Sequence, residues 1–225
     1  MIEPLVCIVP AYNSEPTLSK VVKDLRRNLP RAWIIGIDDG STDGSGQLLK
    51  TVCDETIEFG ENRGKGAALR AGFAAALRKG AAAVLTIDSD GQHDAAFAPA
   101  IVGALDHADI VIGNRDLSGK AVPRHRRIAN MISSAATRAV SGGKVRDSQS
   151  GYRAIKAEVL RKVDAVGDRY EFETDFIIRA ARAGFTTVNV PISTIYGAPS
   201  YFREFRDAWL VIKVLWRHRA GVFKR

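Results

Sequence analysis

The sequence predicts an α/β protein with a mostly parallel central sheet and helices on both faces. Three observations predict it. Short apolar runs alternate with segments of helical period through the first half of the chain. The apolar runs are continuous, as in strands buried on both sides. And three of the runs end in polar, carboxylate-rich loops, the kind of edge at which open α/β sheets bind ligands.

The elements follow in order. "PLVCIVP" (4–10) reads as a buried strand bounded by prolines. Leu18, Val21, Val22 and Leu25 have helical spacing and predict a helix over 16–28. "AWIIGID" (32–38) is a strand, 45–53 a helix and "TIEF" (56–59) a short strand. The Ala- and Leu-rich stretch 66–80 is a helix closed by Lys79-Gly80. "AAVLTID" (82–88) and "DIVIGNR" (109–115) are strands, with a helix between them in 95–106. Beyond this the pattern loosens: a helix over 124–141, a strand over 150–156, a helix over 171–184, and over 186–196 two extended pieces separated by Pro191. No repeat or linker interrupts the chain, so one domain is expected over 1–200, with a basic amphipathic helix at 201–225 that belongs to it or faces a membrane.

Composition narrows the function. The 225 residues are 46% hydrophobic, enough for one substantial core, and carry a net charge of +8, which suits an anionic partner. The basic residues are not interleaved with stacking aromatics outside the tail, which argues against nucleic acid. Cys7 and Cys53 have no metal-ligand spacing and form no disulfide framework, consistent with a reducing compartment. The N-terminus lacks the pattern of a signal peptide, and no apolar stretch has the roughly 18 residues of a spanning helix.

The strand ends carry the chemistry: "PAYNSE" (10–15), "DDGSTDG" (38–44) and "DSDGQHD" (88–94). Familiar motifs do not account for them. "DGSTDG" begins like an EF-hand loop but has Lys50 where the final Glu belongs. "GENRGKG" (60–66) has neither the spacing nor the Ser or Thr of a phosphate loop, and "GKGAAL" is not a dinucleotide fingerprint. Asp88 and Asp90, one residue apart at a strand mouth, repel each other unless a cation lies between them. A hard ion such as Mg²⁺ or Mn²⁺ would take them with the Gln92 amide oxygen; the alternative is a solvated acidic turn with Asp94 capping the next helix. His93, in the middle of this block, is read as loop packing or a supporting hydrogen bond ahead of a catalytic role.

The ordered blocks "VPAYNSE", "IDDGSTDGS", "NRGKGAALRAGF", "LTIDSDGQHD", "IVIGNR", "DSQSGYRAI" and "VPISTIYG" resemble glycosyltransferase family 2, and within it the dolichyl- or polyprenyl-phosphate sugar synthases. The resemblance runs from about residue 5 to 205. It implies a GT-A, Rossmann-like fold and inverting, metal-dependent transfer of a hexose from a UDP- or GDP-sugar to a lipid phosphate, by a cytoplasmic enzyme peripheral on the inner membrane face. Matched block by block, it puts Pro10, Tyr12 and Glu15 in the loop that holds base and ribose. Asp38 falls on the nucleotide-contacting aspartate with Asp39 beside it, and Lys65 lies near the donor. Asp88, Asp90 and Gln92 fall in the metal block. Arg115, Arg127, Ser150 and Arg153 lie where these enzymes grip phosphate. Ser14 departs from the family, which often has an acidic residue there.

The acceptor decides whether a base is needed. A sugar hydroxyl must lose a proton, and Glu173 and Asp175 in "YEFETD" lie where the family often places acceptor-side acids. Equally, they are acids in the first turn of a helix, opposite its dipole. A lipid phosphate needs cations instead, and Arg124, Arg126 and Arg127 could supply them or simply form a solvated helix face. The alternatives are transfer to a saccharide hydroxyl in cell-surface polysaccharide assembly and non-catalytic binding of a nucleotide sugar. In the tail, seven Lys and Arg stand against two acids. A narrow stripe of Arg203, Arg206, Lys213 and Arg217 is flanked by apolar residues including Trp209, Ile212 and Trp216. Such a helix suits a bilayer interface, or packing against a core or a second copy.

Overall fold

The computed structural model describes residues 2–115, 131, 133–135, 137–139, 145–193, 195 and 204–218, with side chains of the last segment from 209 onward. Seven strands form one sheet: β1 (Leu5–Ala11), β2 (Trp33–Asp38), β3 (Glu55–Glu58), β4 (Ala83–Thr86), β5 (Ile110–Arg115), β6 (Arg153–Lys156) and β7 (Thr187–Ile192). Their order across the sheet is β3-β2-β1-β4-β6-β5-β7. All pairings are parallel except those of β6, which runs antiparallel between β4 and β5.

The continuous apolar runs have a direct cause. Along β1, Leu5, Cys7, Val9 and Ala11 enter one core and Val6 and Ile8 the other. A strand covered on both faces has no polar side to alternate with. The first core is closed by α1 (Glu15–Asn28), α2 (Ser45–Val52) and α4 (Ala98–Gly103), the second by α3 (Lys65–Arg78), α5 (Ala157–Lys162) and α6 (Glu171–Arg182). The predicted helical set Leu18, Val21, Val22 and Leu25 is buried on α1. Cys7 is a buried free thiol whose pKa burial pushes up to about 12.

Three expectations are corrected. β7 runs unbroken through Pro191, which pairs with Asn114. β7 is the edge strand, so the missing proline N–H removes no bond from a further neighbour. The strand predicted to reach Asp88 leaves the ladder at Thr86, which frees Ile87 to Asp94 to form the loop. The helix predicted within 95–106 is one turn-rich unit: 3₁₀ at Ala95–Phe97, α4, then 3₁₀ at Ala104–Asp106. Helix α5 had not been anticipated. Of the helix expected over 124–141, residues 131, 133–135 and 137–139 are helical, and Arg124, Arg126 and Arg127 lie outside the described residues. The tail forms α7 (Glu204–His218).

From β1 the chain steps outward to β2 and β3, and then returns to β4 on the other side of β1. The carboxyl ends of β1 and β4 therefore flank the point at which the strand order reverses, where a crevice opens.

Candidate active site

The loops beyond β1, β2 and β4 are stitched together by short polar side chains. Ser14 N–H donates to Ser45 Oγ (2.8 Å), Ser89 Oγ donates to Ser14 Oγ (2.8 Å), and Thr17 Oγ1 donates to the Ser89 carbonyl (2.6 Å). The small Ser14 hydroxyl is buried and ties the β1 loop to the β4 loop. Glu15 accepts from Gly44 N–H at 2.9 Å, and its own N–H donates to Asp43. Glu15 thus clips the β1 loop to the β2 loop. Pro10 is buried on β1 opposite Ile37, and Tyr12 stands half-buried just past the end of β1.

The two aspartates after β2 divide their work. Asp38 ends the strand and accepts from Ser41 N–H (3.1 Å). Asp39 is buried and accepts from the backbone N–H groups of Arg63 (2.7 Å) and Gly64 (2.9 Å) and from the Asn62 amide (3.0 Å). Burial raises its pKa against these donors. Asp39 thereby anchors the loop that enters α3. Gly64, at φ +101, is pressed so close to Asp168 that a Cβ would stand 2.4 Å from its carbonyl oxygen. The next residue is Lys65.

Lys65 is the hub of the site. Its Nζ lies 2.6 Å from Asp88 Oδ1 and 3.2 Å from Glu173 Oε2. Burial alone would lower its pKa, but Asp88 and then Glu173 overcome burial and raise it. Burial would likewise raise Asp88; the Lys65 charge first, with His93 beside it, outweighs burial and holds the carboxyl far below the usual range. His93 Nε2 is 3.6 Å from Asp88 Oδ2, and the buried His93 ring packs against Tyr152 with centroids 5.3 Å apart. His93 therefore backs the Asp88 carboxylate, as a supporting residue would. On the remaining side stands Gly151, where a Cβ would lie 2.4 Å from both Asp88 oxygens. The Gly151 carbonyl accepts from Thr86 Oγ1 (2.8 Å), which keeps β6 close to β4.

Asp90 is in a different position. It accepts from Gln92 N–H (3.0 Å) and makes no ion pair among the described residues. Burial, and then the Asp88 charge, raise its pKa. The Gln92 carbonyl accepts from Ile195 N–H, which ties the loop to the segment after β7. Among the described residues no three His, Cys, Asp or Glu side chains are grouped to hold a metal. Two carboxylates with an amide nevertheless fit a hard cation that keeps positions for water and phosphate oxygens. A cation at Asp90 would relieve the repulsion that raises it.

The phosphate-side residues separate. Arg115, at the end of β5, makes a bidentate pair with the buried Asp147: Nε donates to Oδ2 (2.7 Å) and Nη2 to Oδ1 (3.0 Å). Burial opposes the Arg115 charge, but Asp147, with Asp88 and Glu173 behind it, raises the pKa. Arg115 thus lies within electrostatic reach of the Lys65 cluster. Arg153 is buried beneath it, with each guanidinium nitrogen donating to a backbone carbonyl: Ser150 (2.7 Å), Glu173 (3.2 Å) and Ser148 (2.9 Å). Its Nη2 is also 3.7 Å from Glu173 Oε1. Ser150 is buried in the loop that Arg153 holds. Asp175 does not join the cluster. Half a turn from Glu173, its fully buried carboxylate accepts from Val166 N–H (2.8 Å), Arg179 Nε (2.6 Å) and His218. Arg127 lies outside the described residues.

Sequence reading passed over Asp147, although it lies inside the quoted block "DSQSGYR". Its pairing with Arg115 follows from β6 running antiparallel beside β5, which no local pattern reveals. Gly151 was likewise visible, but not its contact with Asp88.

A doubly covered, mostly parallel sheet that gathers acidic loops and buried cations at its carboxyl edge is a GT-A fold. The chain belongs to glycosyl transferase family 2, whose family model matches residues 6–164. It is 33% identical over 199 residues to the polyprenol monophosphomannose synthase of Mycolicibacterium smegmatis, covering 83% of this chain and 75% of that one. It is 32% identical over 202 residues to the undecaprenyl-phosphate mannosyltransferase of Micrococcus luteus, covering 85% and 83%. In fold it matches glucosyl-3-phosphoglycerate synthase from Mycobacterium tuberculosis, solved with Mn²⁺, uridine diphosphate and phosphoglyceric acid. That match has a TM-score of 0.77 at 22% identity over 95% of this chain and 78% of that one.

Proposed function

We propose that this enzyme transfers a hexose, with inversion, from a UDP- or GDP-sugar to a polyprenyl phosphate. The observation that carries the acceptor is the state of Glu173. It is buried, and its two oxygens face Lys65 at 3.2 Å and Arg153 at 3.7 Å. A carboxylate committed to two cations is poorly placed to take a proton from a sugar hydroxyl. A phosphate acceptor arrives ionised and needs no base. The relatives named above, a polyprenol monophosphomannose synthase and an undecaprenyl-phosphate mannosyltransferase, favour the same reading.

In this reading Tyr12, Glu15 and Asp38 frame the base and ribose, with Pro10 and Asp39 fixing the loops that carry them. Asp90, with Asp88 and the Gln92 amide, would hold Mg²⁺ or Mn²⁺, which supplies Lewis-acid charge against the departing diphosphate. Lys65 keeps Asp88 ionised and oriented. Arg115, held rigid by Asp147, would grip the anionic acceptor, a role the family resemblance also gives Arg127, while Ser150 and Arg153 set the floor. Catalysis is then positioning together with charge stabilisation of the leaving group.

We place the enzyme at the cytoplasmic face of a membrane, as one GT-A domain whose C-terminal helix meets the lipid. No helix among the described residues is long and apolar enough to cross a membrane. On α7, Val211 and Val214 are buried, while Trp209 (57% exposed), Ile212 (52%) and Trp216 (65%) face outward with Lys213 beside Trp209. Exposed indoles beside a cation suit a headgroup layer.

The test is transfer from labelled UDP- and GDP-sugars to polyprenyl phosphate or to a saccharide, with Mn²⁺. Label in glycolipid supports the reading. Label only in saccharide, with activity abolished in Glu173→Gln, would replace it by hydroxyl transfer. Donor binding with no transfer to either would leave a binding protein.

A further inference from the structure

The C-terminal helix α7 meets α6 through a buried imidazole. His218, the last residue of α7, is 6% exposed. Its Nε2 lies 2.7 Å from Asp175 Oδ1 and its Nδ1 2.8 Å from Arg182 Nη1, while its carbonyl accepts from Arg182 Nη2. A guanidinium nitrogen only donates, so Nδ1 must accept; a carboxylate only accepts, so Nε2 must carry the hydrogen. The arrangement therefore defines one neutral tautomer, Nε2–H. Among the described residues, the charged groups that meet the ring are Asp175 and Arg182, with Arg179 on the other oxygen of Asp175.

Asp175 carries this contact in two directions. Along α6 it is half a turn from Glu173, which holds Lys65. Across the fold its Oδ2 accepts from Val166 N–H, fixing the loop that precedes α6. Two residues on, the Asp168 carbonyl accepts from Ala67 N–H (3.1 Å) in the first turn of α3, and Arg70 binds Gly167 and Asp168. Lys65 is the first residue of that helix. One route from His218 thus ends on the Lys65 ammonium that orders Asp88 and the other on the helical turn that carries Lys65.

We propose that His218 is a positioning residue for the Lys65–Glu173–Asp88 cluster, acting through Asp175. Locked as the Nε2–H tautomer, it seats α7 on α6 and holds the 163–170 loop against α3. Only the kinetic part of its test rests on the transferase reading above.

Three measurements test it. In ¹⁵N-histidine spectra of the full chain near neutral pH, His218 is expected to show a protonated Nε2 and a bare Nδ1. An imidazolium or the Nδ1–H tautomer would overturn the assignment. By hydrogen exchange, His218→Ala is expected to deprotect 204–218 and also 163–175 and the first turn of α3; deprotection confined to 204–218 would reduce His218 to local packing. In the transfer assay the same variant should lose about tenfold in kcat with little change in donor KM, as misplacement of reacting groups does. His218→Gln, whose amide can donate to Asp175 and accept from Arg182, should restore both protection and most of kcat. Full kcat in a deprotected His218→Ala, or no rescue by a folded His218→Gln, would sink the proposal. An inactive wild type that still shows the tautomer and the linked exchange would count against the transferase reading alone.

Discussion

Lys65 Nζ stands 2.6 Å from Asp88 Oδ1, although the two residues come from the start of a helix and the loop of a strand that follows it. One ammonium thereby joins the β4 loop to Glu173 on α6. Lys65→Met should strip Asp88 of its lysine partner and leave Glu173 with Arg153 alone. Breaking a buried ion pair from one side costs about 3 kcal/mol or more, so urea denaturation should show a loss of that order. Donor binding by calorimetry should weaken as Asp88 loses its orientation.

Gly151 owes its place to Asp88. A methyl group there would overlap both carboxylate oxygens at 2.4 Å and Lys65 Nζ at 2.6 Å. Gly151→Ala should displace the ion pair or lift the 148–151 loop, costing about 1–3 kcal/mol as overpacking does. Transfer activity should fall more steeply than stability. Thermal denaturation beside a kinetic assay checks this.

Asp90 should govern metal affinity and its pH dependence. Its pKa is raised above the ordinary 3.8 by burial and by Asp88. A carboxylate must be ionised to bind a cation, so a raised pKa makes protons compete at higher pH than at a normal aspartate. Mn²⁺ affinity should therefore weaken as pH falls toward that raised value. Asp90→Asn should bind Mn²⁺ weakly and lose this pH dependence. Titration calorimetry at several pH values, and activity after removal of divalent ions with a chelator, test it.

At Asp147 the pKa shift has the opposite direction, although its contribution too is lost on acidification. Burial alone would raise Asp147, but the Arg115 pair outweighs it and lowers the pKa below 3.8. A depressed carboxylate stabilises the fold above its unfolded pKa, and that stability is lost as pH falls through the folded value. Arg115→Ala should thus cost about 3 kcal/mol near neutral pH by stranding Asp147. Its deficit against the wild type should shrink on acidification below 3.8. Arg115→Lys cannot rebuild the two-pronged pair and should recover only part.

The local pattern made most of the fold legible. All seven strands were legible, the central β1, β2 and β4 most sharply, because a strand buried on both faces leaves a short, unbroken signature. Pro191 misled, since a proline reads as a break until the strand is known to be an edge. Asp88 and Asp90 were legible as a pair that needs a cation, yet the sequence treated them alike. The fold separates them: Lys65 neutralises Asp88 and leaves Asp90 with no ion pair among the described residues. Glu173 and Asp175 are the clearest case. Read along the chain they were twin acids in a helix's first turn. Two residues span about 200° around a helix, so they face different neighbours.

The sequence by itself thus determined the alternation of strands and helices, the family, and which loops hold carboxylates, because these rest on residue type and local period. The tertiary structure decided what each carboxylate does. A cation's partner is set by which distant segment arrives beside it, and here β6, entering antiparallel between β4 and β5, brings Asp147 to Arg115 and Gly151 to Asp88. The arrival of α7 does the same for Asp175, turning a candidate base into the seat of His218.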